Sequence, residues 1–498
     1  LNLSISAVTG VDSAAAIDTT GANLEVFNST SGNVNITNTG ALTIAAVGPL
    51  FGDAISGATN NGGNLTVIAL SPLTVAAPVS ASGVVTLTAT DSGVGDDLTI
   101  NATVTSTGNN IVLNAGDNAA INASLFATAA TRTITINIDT GAAGDAAGGV
   151  LTILGADLDA TTAFFNGNVN DDSFGTLLNP LTPDDDTPFV IDGDQPHGTP
   201  TGDKLFLAIP LTGTTLTVTD FGSGVFGFGA SPASVTYTSI EELNVTGGTY
   251  DLTIDLNANE FDDDGLADNL TVSRSGSSVV IARTGVADAT ELVPSIPNDP
   301  PNRVGTLYQD LMAAVNSLQI IGSGDADQVT IDDANGLPTF AGSPALAPDN
   351  ILVNDSPGIV FYGAGGTNTL AFALNAANTN QIYGIGGGTD GLGDSNAEMR
   401  TVNGLNALNV YGLNLNQTVR TGGSTGSLAV IAESGNDSIV IDAGVPASTT
   451  NIATAGYAPL NFSGNNYSAV TVFGMGGADT IDLTNLGSGQ SAALAITL

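Results

Sequence analysis

Residues 84–125 read VVTLTATDSGVGDDLTINATVTSTGNNIVLNAGDNAAINASL. Apolar and polar side chains alternate in short bursts: VVTLTAT, DLTINATV, NIVLNA, AAINASL. A period of two means strands with one face buried. The bursts are separated by Gly, Asn, Asp and Ser, which tolerate the positive φ of tight turns. Two architectures set many short strands in a row. One is an antiparallel sandwich. The other is a solenoid, whose coils lay their strands on those of the coil before. Three details favour the solenoid. Aromatics are scarce, small residues fill the interior positions, and Asn recurs beside the strands, where stacked amides form ladders.

The same texture fills residues 1 to about 160, in NLEVF, NVNIT, ALTIAA, NLTVIA, RTITINI and VLTIL. The stretch 84–125 resembles the coils of filamentous-haemagglutinin-type secreted adhesins. That resemblance implies a right-handed parallel β-helix and an extracellular role, structural or adhesive.

Composition narrows the function classes. The chain has 498 residues, and 42% are hydrophobic, enough to bury a core. Seven Lys and Arg face 48 Asp and Glu, a formal net charge of −41. Nucleic-acid binding needs phosphate neutralisation by basic side chains, so no nucleic-acid partner is expected. An anionic membrane surface repels such a chain. No apolar run approaches the roughly 18 residues of a membrane span, so no membrane insertion is expected. The small partners that suit this charge are divalent cations. Cysteine is absent, which excludes disulfides and thiolate metal sites. No signal peptide is visible, and both ends, LNLSIS and ALAITL, read as the interior of a longer chain.

Three regions are expected. Residues 1–160 read as β-helix-like repeats. Residues 161–300 read as a β-domain with acidic loops, its strands longer and more strictly alternating, as in antiparallel sheets. Residues 301–498 read as a β-domain with Gly-rich Asp repeats. The fold class is thus all-β: a β-solenoid followed by sandwich-like or further solenoid modules. The Pro-rich stretch VPSIPNDPPN (293–302) is the best linker candidate. One helix is predicted over 304–318, VGTLYQDLMAAVNSL. There Leu307, Leu311, Val315 and Leu318 share a helical face, and Thr306 with Gln309 forms a capping box.

The C-terminal part repeats a unit. GAGGTNTL (363–370) and GMGGADTI (474–481) align without gaps, and GSGDADQVTI (322–331) and ESGNDSIVI (433–441) are looser relatives. The unit resembles the nonapeptide of repeats-in-toxin calcium β-rolls. Gly474, Gly477, Asp479 and Ile481 match it, as do Gly435, Asp437 and Ile439, while Asn368 replaces the ligand Asp in the other copy. The resemblance implies Ca²⁺ at Asp437 and Asp479. The competing reading is a corner: the glycines make the bend and the Asp or Asn caps it.

A second candidate is EFDDDGLAD (260–268), with Glu260, Asp262, Asp264, Gly265 and Asp268 at positions 1, 3, 5, 6 and 9 of a calcium loop. Alternate oxygens in a tight loop converge on one point, and Gly at position 6 allows the sharp turn. The spacing resembles the loops of EF-hand, dockerin and thrombospondin type. Thr271 at position 12 offers no bidentate carboxylate. The Asp-rich excursion 171–203 is a third candidate for carboxylate coordination.

No catalytic machinery is expected. Arg132, Lys204, Arg274, Arg283, Arg303, Arg400 and Arg420 are scattered, and His197 lies in an acidic loop. Carboxylate pairs are frequent in so acidic a chain and single out no glycosidase pair. The style of YTSIEELNVTGG and IIGSGDADQVTID resembles the giant acidic surface proteins of aquatic bacteria such as planctomycetes. The expectation is a non-catalytic extracellular structural protein, part of a bacterial filament, sheath or S-layer. Its partners would be further copies or neighbouring segments of a longer chain. The alternative is a calcium-dependent adhesin that binds glycans.

Overall fold

The computed structural model of the chain describes residues 1–11, 15–48, 55–90, 93, 95–141, 148–168, 170–178, 187–194, 202–211, 213–229, 234–257, 268–284, 305–340, 358–375, 380–385, 395–403, 406–413, 415–421, 426–432, 438–443, 449–454, 458–463, 467–473, 478–483 and 493–497. It is all-β and solenoid-like, and it divides into two compact units. The first is Leu1–Thr214 with Gly222–Gly248, the second Thr215–Phe221 with Thr249–Leu498.

In the first unit the strands of each coil pair in parallel with their counterparts one coil later, and one antiparallel pair, Ser223–Gly227 with Val235–Thr238, adds to this stack. One face runs through Val34–Asn38, Leu65–Ala69, Val85–Ala89, Ile111–Ala115, Thr133–Asn137, Thr162–Asn166, Phe189–Asp192 and Val235–Thr238. A second runs through Leu42–Ile44, Leu73–Val75, Leu98–Ile100, Ala119–Ile121, Val150–Ile153, Ser173–Leu178, Lys204–Ala208 and Glu242–Thr246. A third links Ala58–Asn60, Val79–Ala81, Val104–Ser106, Leu125–Ala127 and Leu158–Asp159. The coils are therefore three-sided, and the antiparallel sandwich is excluded for this unit.

Register explains why alternation suffices to specify the fold. Val34, Leu65, Val85, Ile111, Ile134, Ala163, Phe189 and Val235 lie on one another in a single inward column. Every one of them is buried. Each of these side chains larger than Ala163 contributes roughly 1.5–3 kcal/mol of burial. A slip of one residue would turn the whole column to solvent. Later coils carry larger fillers: Phe165 and Phe189 meet with ring centroids 5.3 Å apart. On the outside, Asn166 donates to Asn137 (2.7 Å), Asn137 to Asn114 (2.7 Å) and Asn114 to Thr88 (3.0 Å). These are the amide ladders expected from the recurrent Asn.

The second unit is a two-faced solenoid. One face stacks Tyr250–Asp255, Val315–Ile321, Ile359–Tyr362 and Asn406–Leu413 in parallel. The other stacks Asn269–Ser275, Gln328–Asp332, Thr369–Ala373, Gln417–Thr421 and Leu460–Ser463. Antiparallel excursions extend or interrupt both faces. Ser278–Arg283 and Gly305–Leu311 add to the edge beside Asn269–Ser275. Meanders insert Asn380–Ile385 with Ser395–Asn403 on one face and Ser438–Ala443 with Thr449–Thr454 on the other. The antiparallel pairing expected of residues 161–300 is thus local, within a parallel scaffold. One inward column runs Val272, Ile331, Phe372, Arg420, Phe462. The buried Arg420 guanidinium sits 4.0 Å over the Tyr467 ring and donates to Gln381 Oε1 at 2.9 Å.

The predicted helix is not formed. Gly305–Leu311 and Val315–Ile321 are strands, joined by a turn through Met312 to Ala314. Of the helical stripe, Leu307, Val315 and Leu318 are buried, but Leu311 is 51% exposed. Val315–Ile321 is gripped on both sides, by Tyr250–Asp255 and by Ile359–Tyr362. Two ladders of backbone hydrogen bonds and a waiting interior outweigh the modest local preference for helix. Val304 and the linker candidate 293–302 lie outside the described residues.

The two readings of 304–318 differ in a measurable way. A helical face would make Leu311 and Leu318 equivalent. The strand pairing predicts that Leu318→Ala costs about 2–5 kcal/mol in urea unfolding and Leu311→Ala within about 0.5 kcal/mol.

Candidate functional site: a column of carboxylates at the coil corner

A parallel coil must turn a corner after each strand, and the corner's backbone N–H groups need acceptors. Gly322 ends the strand Val315–Ile321, and Asp327 stands just before Gln328–Asp332. Asp327 folds back over its own corner. Its Oδ2 accepts the Ser323 N–H (2.8 Å) and its Oδ1 the Ser323 hydroxyl (3.0 Å). Its Oδ1 also accepts the Asp268 N–H of the preceding coil (3.4 Å). The next rungs repeat the pattern: Asp327 N–H donates to Asn368 Oδ1 (3.0 Å), and Asn368 N–H to Asn416 Oδ1 (2.7 Å). Asp268, Asp327, Asn368 and Asn416 form one column, in which Asp327, Asn368 and Asn416 each cap the coil before.

The first unit carries the same device. Gly149 N–H donates to Asp172 Oδ1 (2.5 Å), Asp172 N–H to Asp203 Oδ1 (2.6 Å) and Asp203 N–H to Glu241 Oε2 (2.7 Å). Asp172 closes over its own coil as Asp327 does, accepting the Asn168 N–H at Oδ2 (2.7 Å). Earlier in the stack, Asp117 Oδ2 accepts the N–H groups of Gly95 (2.5 Å) and Asp96 (2.8 Å).

The geometry accounts for the glycines. A Cβ on Gly322 would lie 2.5 Å from Asp327 Oδ2. One on Gly167 would collide with Asp172 Oδ2, and one on Gly193 with Asp203 Oδ2. None of these three needs a positive φ, so the requirement is for space. Gly167 with Asp172 and Gly322 with Asp327 share the spacing of Gly363 with Asn368 and Gly474 with Asp479. In the copy at 322–331 the Gly-rich unit is a corner whose carboxyl occupies the volume of the missing Cβ.

Burial shapes the electrostatics. Asp172, Asp203, Asp268 and Asp327 are all within 2% of full burial. Burial pushes the Asp327 carboxyl up, opposed by the Ser323 and Asp268 donors. Burial lifts Asp172 to about 7, against the Asn168 and Gly149 amides, with Asp139 and Asp171 adding repulsion. Asp268 instead meets a cation, Arg283, at 2.7 Å.

Of the predicted calcium ligands, Glu260, Asp262, Asp264 and Asp437 lie outside the described residues, as does His197. Asp268 belongs to the corner column and pairs with Arg283. Asp479 immediately precedes the strand Thr480–Asp482, as Asp327 precedes its own. Asp268 and Asp479 are not brought together: their strands stand apart in the second face, with several others between. Among the described residues no group of three or more His, Asp or Glu is arranged to hold a metal ion. Sequence reasoning missed Asp203, Glu241 and Asn416 as column members. The available signal was their position, each the last residue before a strand.

Compared with family models, curated proteins and solved structures, the chain matches none.

The corner reading predicts that Gly322→Ala destabilises the second unit by about 1–3 kcal/mol, because the new methyl must displace the Asp327 clamp. Gly21→Ala is the control. Its Cβ meets nothing nearer than 3.5 Å, so its unfolding midpoint should stay near wild type.

Proposed function

We propose that the chain is a non-catalytic structural segment of an extracellular bacterial surface assembly, such as a filament, sheath or S-layer. The observation that supports this most is the continuity of the stack. Strands, apolar columns and corner caps repeat along one direction within each unit, joined in the first by amide ladders. Such an arrangement resists bending and leaves its sides as flat ranks of Thr and Asn. The acidic, lysine-poor, cysteine-free composition fits the same role.

Assembly would proceed through strand edges. The strand Asn2–Ala7 has one described partner, Asn23–Asn28, and its outward neighbours Leu1 and Val8 are 87% and 62% exposed. An edge of this kind accepts a further strand by β-augmentation. The partner is another copy or a neighbouring segment of a longer chain. Divalent cations, calcium in particular, would screen the net charge of −41 and stiffen the assembly. The second reading is a calcium-dependent, glycan-binding adhesin. The acidic segment Glu260–Asp268 favours it by its calcium-loop spacing.

Negative-stain microscopy with calcium and then with a chelator separates these readings. Fibres or lattices in calcium that loosen on chelation are the expected outcome, and deletion of residues 1–6 should leave folded, dispersed particles. Dispersed wild-type particles in both conditions, together with binding to a glycan array, would replace the structural reading with the adhesin.

A further inference from the structure

The Asp203 rung is incomplete. Asp172 and Asp327 each use both oxygens: one caps the preceding coil, the other closes over the residue's own corner. Asp203 Oδ1 caps Asp172, but its Oδ2 is buried and accepts no hydrogen bond among the described residues. The residue is 1% exposed. The donor that would close the corner is engaged elsewhere, since the Asp194 N–H donates to Asp192 Oδ1 at 3.1 Å.

Among the described residues, the charges that act on this carboxyl are of one sign. Asp172 and Asp171 face it from the preceding coil and Glu241 from the following one. Asp139 lies beyond, against Asp172. Lys204, the next residue along the chain, is turned away onto Glu242 at 2.9 Å. An ionised carboxylate there has lost its water, receives one donor and sits between two others. A protonated carboxyl keeps Oδ1 as the cap and removes the repulsion.

We propose that the Asp172–Asp203–Glu241 rungs hold one proton, centred on Asp203, which latches the strands Ser173–Leu178, Lys204–Ala208 and Glu242–Thr246 together. Loss of that proton as the medium turns alkaline loosens this part of the stack. The latch is independent of whether the chain serves as a surface subunit.

The direction of the effect follows from linkage. Burial, with the Asp172, Glu241 and Asp171 charges adding and the Asp172 amide opposing, raises Asp203 from 3.8 to about 8. The folded state therefore holds the proton more tightly than the unfolded chain does. The stabilisation is fully present below about pH 3.8, declines as the pH rises, and is gone once the pH passes about 8. Asp172 and Asp203 titrate as a coupled pair, so the midpoint belongs to the column.

Thermal unfolding of the whole chain from about pH 5 to about pH 9 tests this. Wild type should lose a few degrees of Tm, roughly 2–6 °C, over that range. Asp203→Asn mimics the protonated form and keeps an oxygen for the Asp172 amide. It should flatten the pH dependence and exceed wild type at the alkaline end. His197→Gln, which removes the only histidine, should leave the wild-type slope in place. Infrared spectra of wild type at neutral pH should show a protonated-carboxyl band that Asp203→Asn lacks. The proposal is overturned if Asp203→Asn keeps the wild-type slope, if His197→Gln abolishes it, or if the band is missing in wild type. Calcium restoring the alkaline loss in wild type but not in Asp203→Asn would also overturn it, giving the oxygen to a metal.

Discussion

The structure depends on satisfying backbone N–H groups at corners. Parallel strands cannot be joined by a tight hairpin, so the chain must travel around the coil before it returns. Each return creates bends whose amides are partly buried and belong to no ladder. Leaving such a donor unsatisfied costs about 1–3 kcal/mol. In both units the remedy is a carboxyl or amide oxygen placed immediately before the next strand, over a glycine that leaves room for it. Asp172 and Asp327 perform this task in units that differ in the number of faces per coil. The corner chemistry is therefore more uniform than the cross-section it closes.

The same remedy explains part of the acidity. A carboxylate is an acceptor on both oxygens and can serve two coils at once. Stacking carboxylates on successive coils then creates repulsion that the chain, with seven basic residues, has little means to cancel. Two responses are visible in the second unit. Arg283 neutralises Asp268 directly. Asn368 and Asn416 replace acids by amides further along that column. In the first unit, acids follow one another through Asp172, Asp203 and Glu241.

Much of this was legible in the sequence. Alternation in stretches such as VVTLTAT specified inward and outward faces, and recurrent Asn announced the ladders that run from Thr88 to Asn166. The Gly-rich unit was legible as a corner where the structure describes it, at Gly322 with Asp327 and at Gly363 with Asn368, which share one spacing. Register was not legible. Nothing local reveals that Asp172 will lie under Asp203, since the partners come from different coils and the intervening lengths vary. The stripe Leu307, Leu311, Val315, Leu318 misled for a related reason. A helical period over two turns is also what two short strands around a turn can produce, and the neighbouring strands decide between them.

The capping columns also have a direction. In the acidic column the acceptor lies on the later coil: Asp203 caps Asp172, and Glu241 caps Asp203. Another set runs oppositely, with Asn33 accepting the Asn64 N–H and Asn64 the Val84 N–H, so that the acceptor lies on the earlier coil. During synthesis an arriving coil therefore finds acceptors already waiting for its own amides, and in settling it finishes a corner that its predecessor could not close alone. Growth from the amino end is a ratchet in which docking of each new coil retires the last exposed donors of the one before. Growth from the other end would use the same two sets with their roles exchanged.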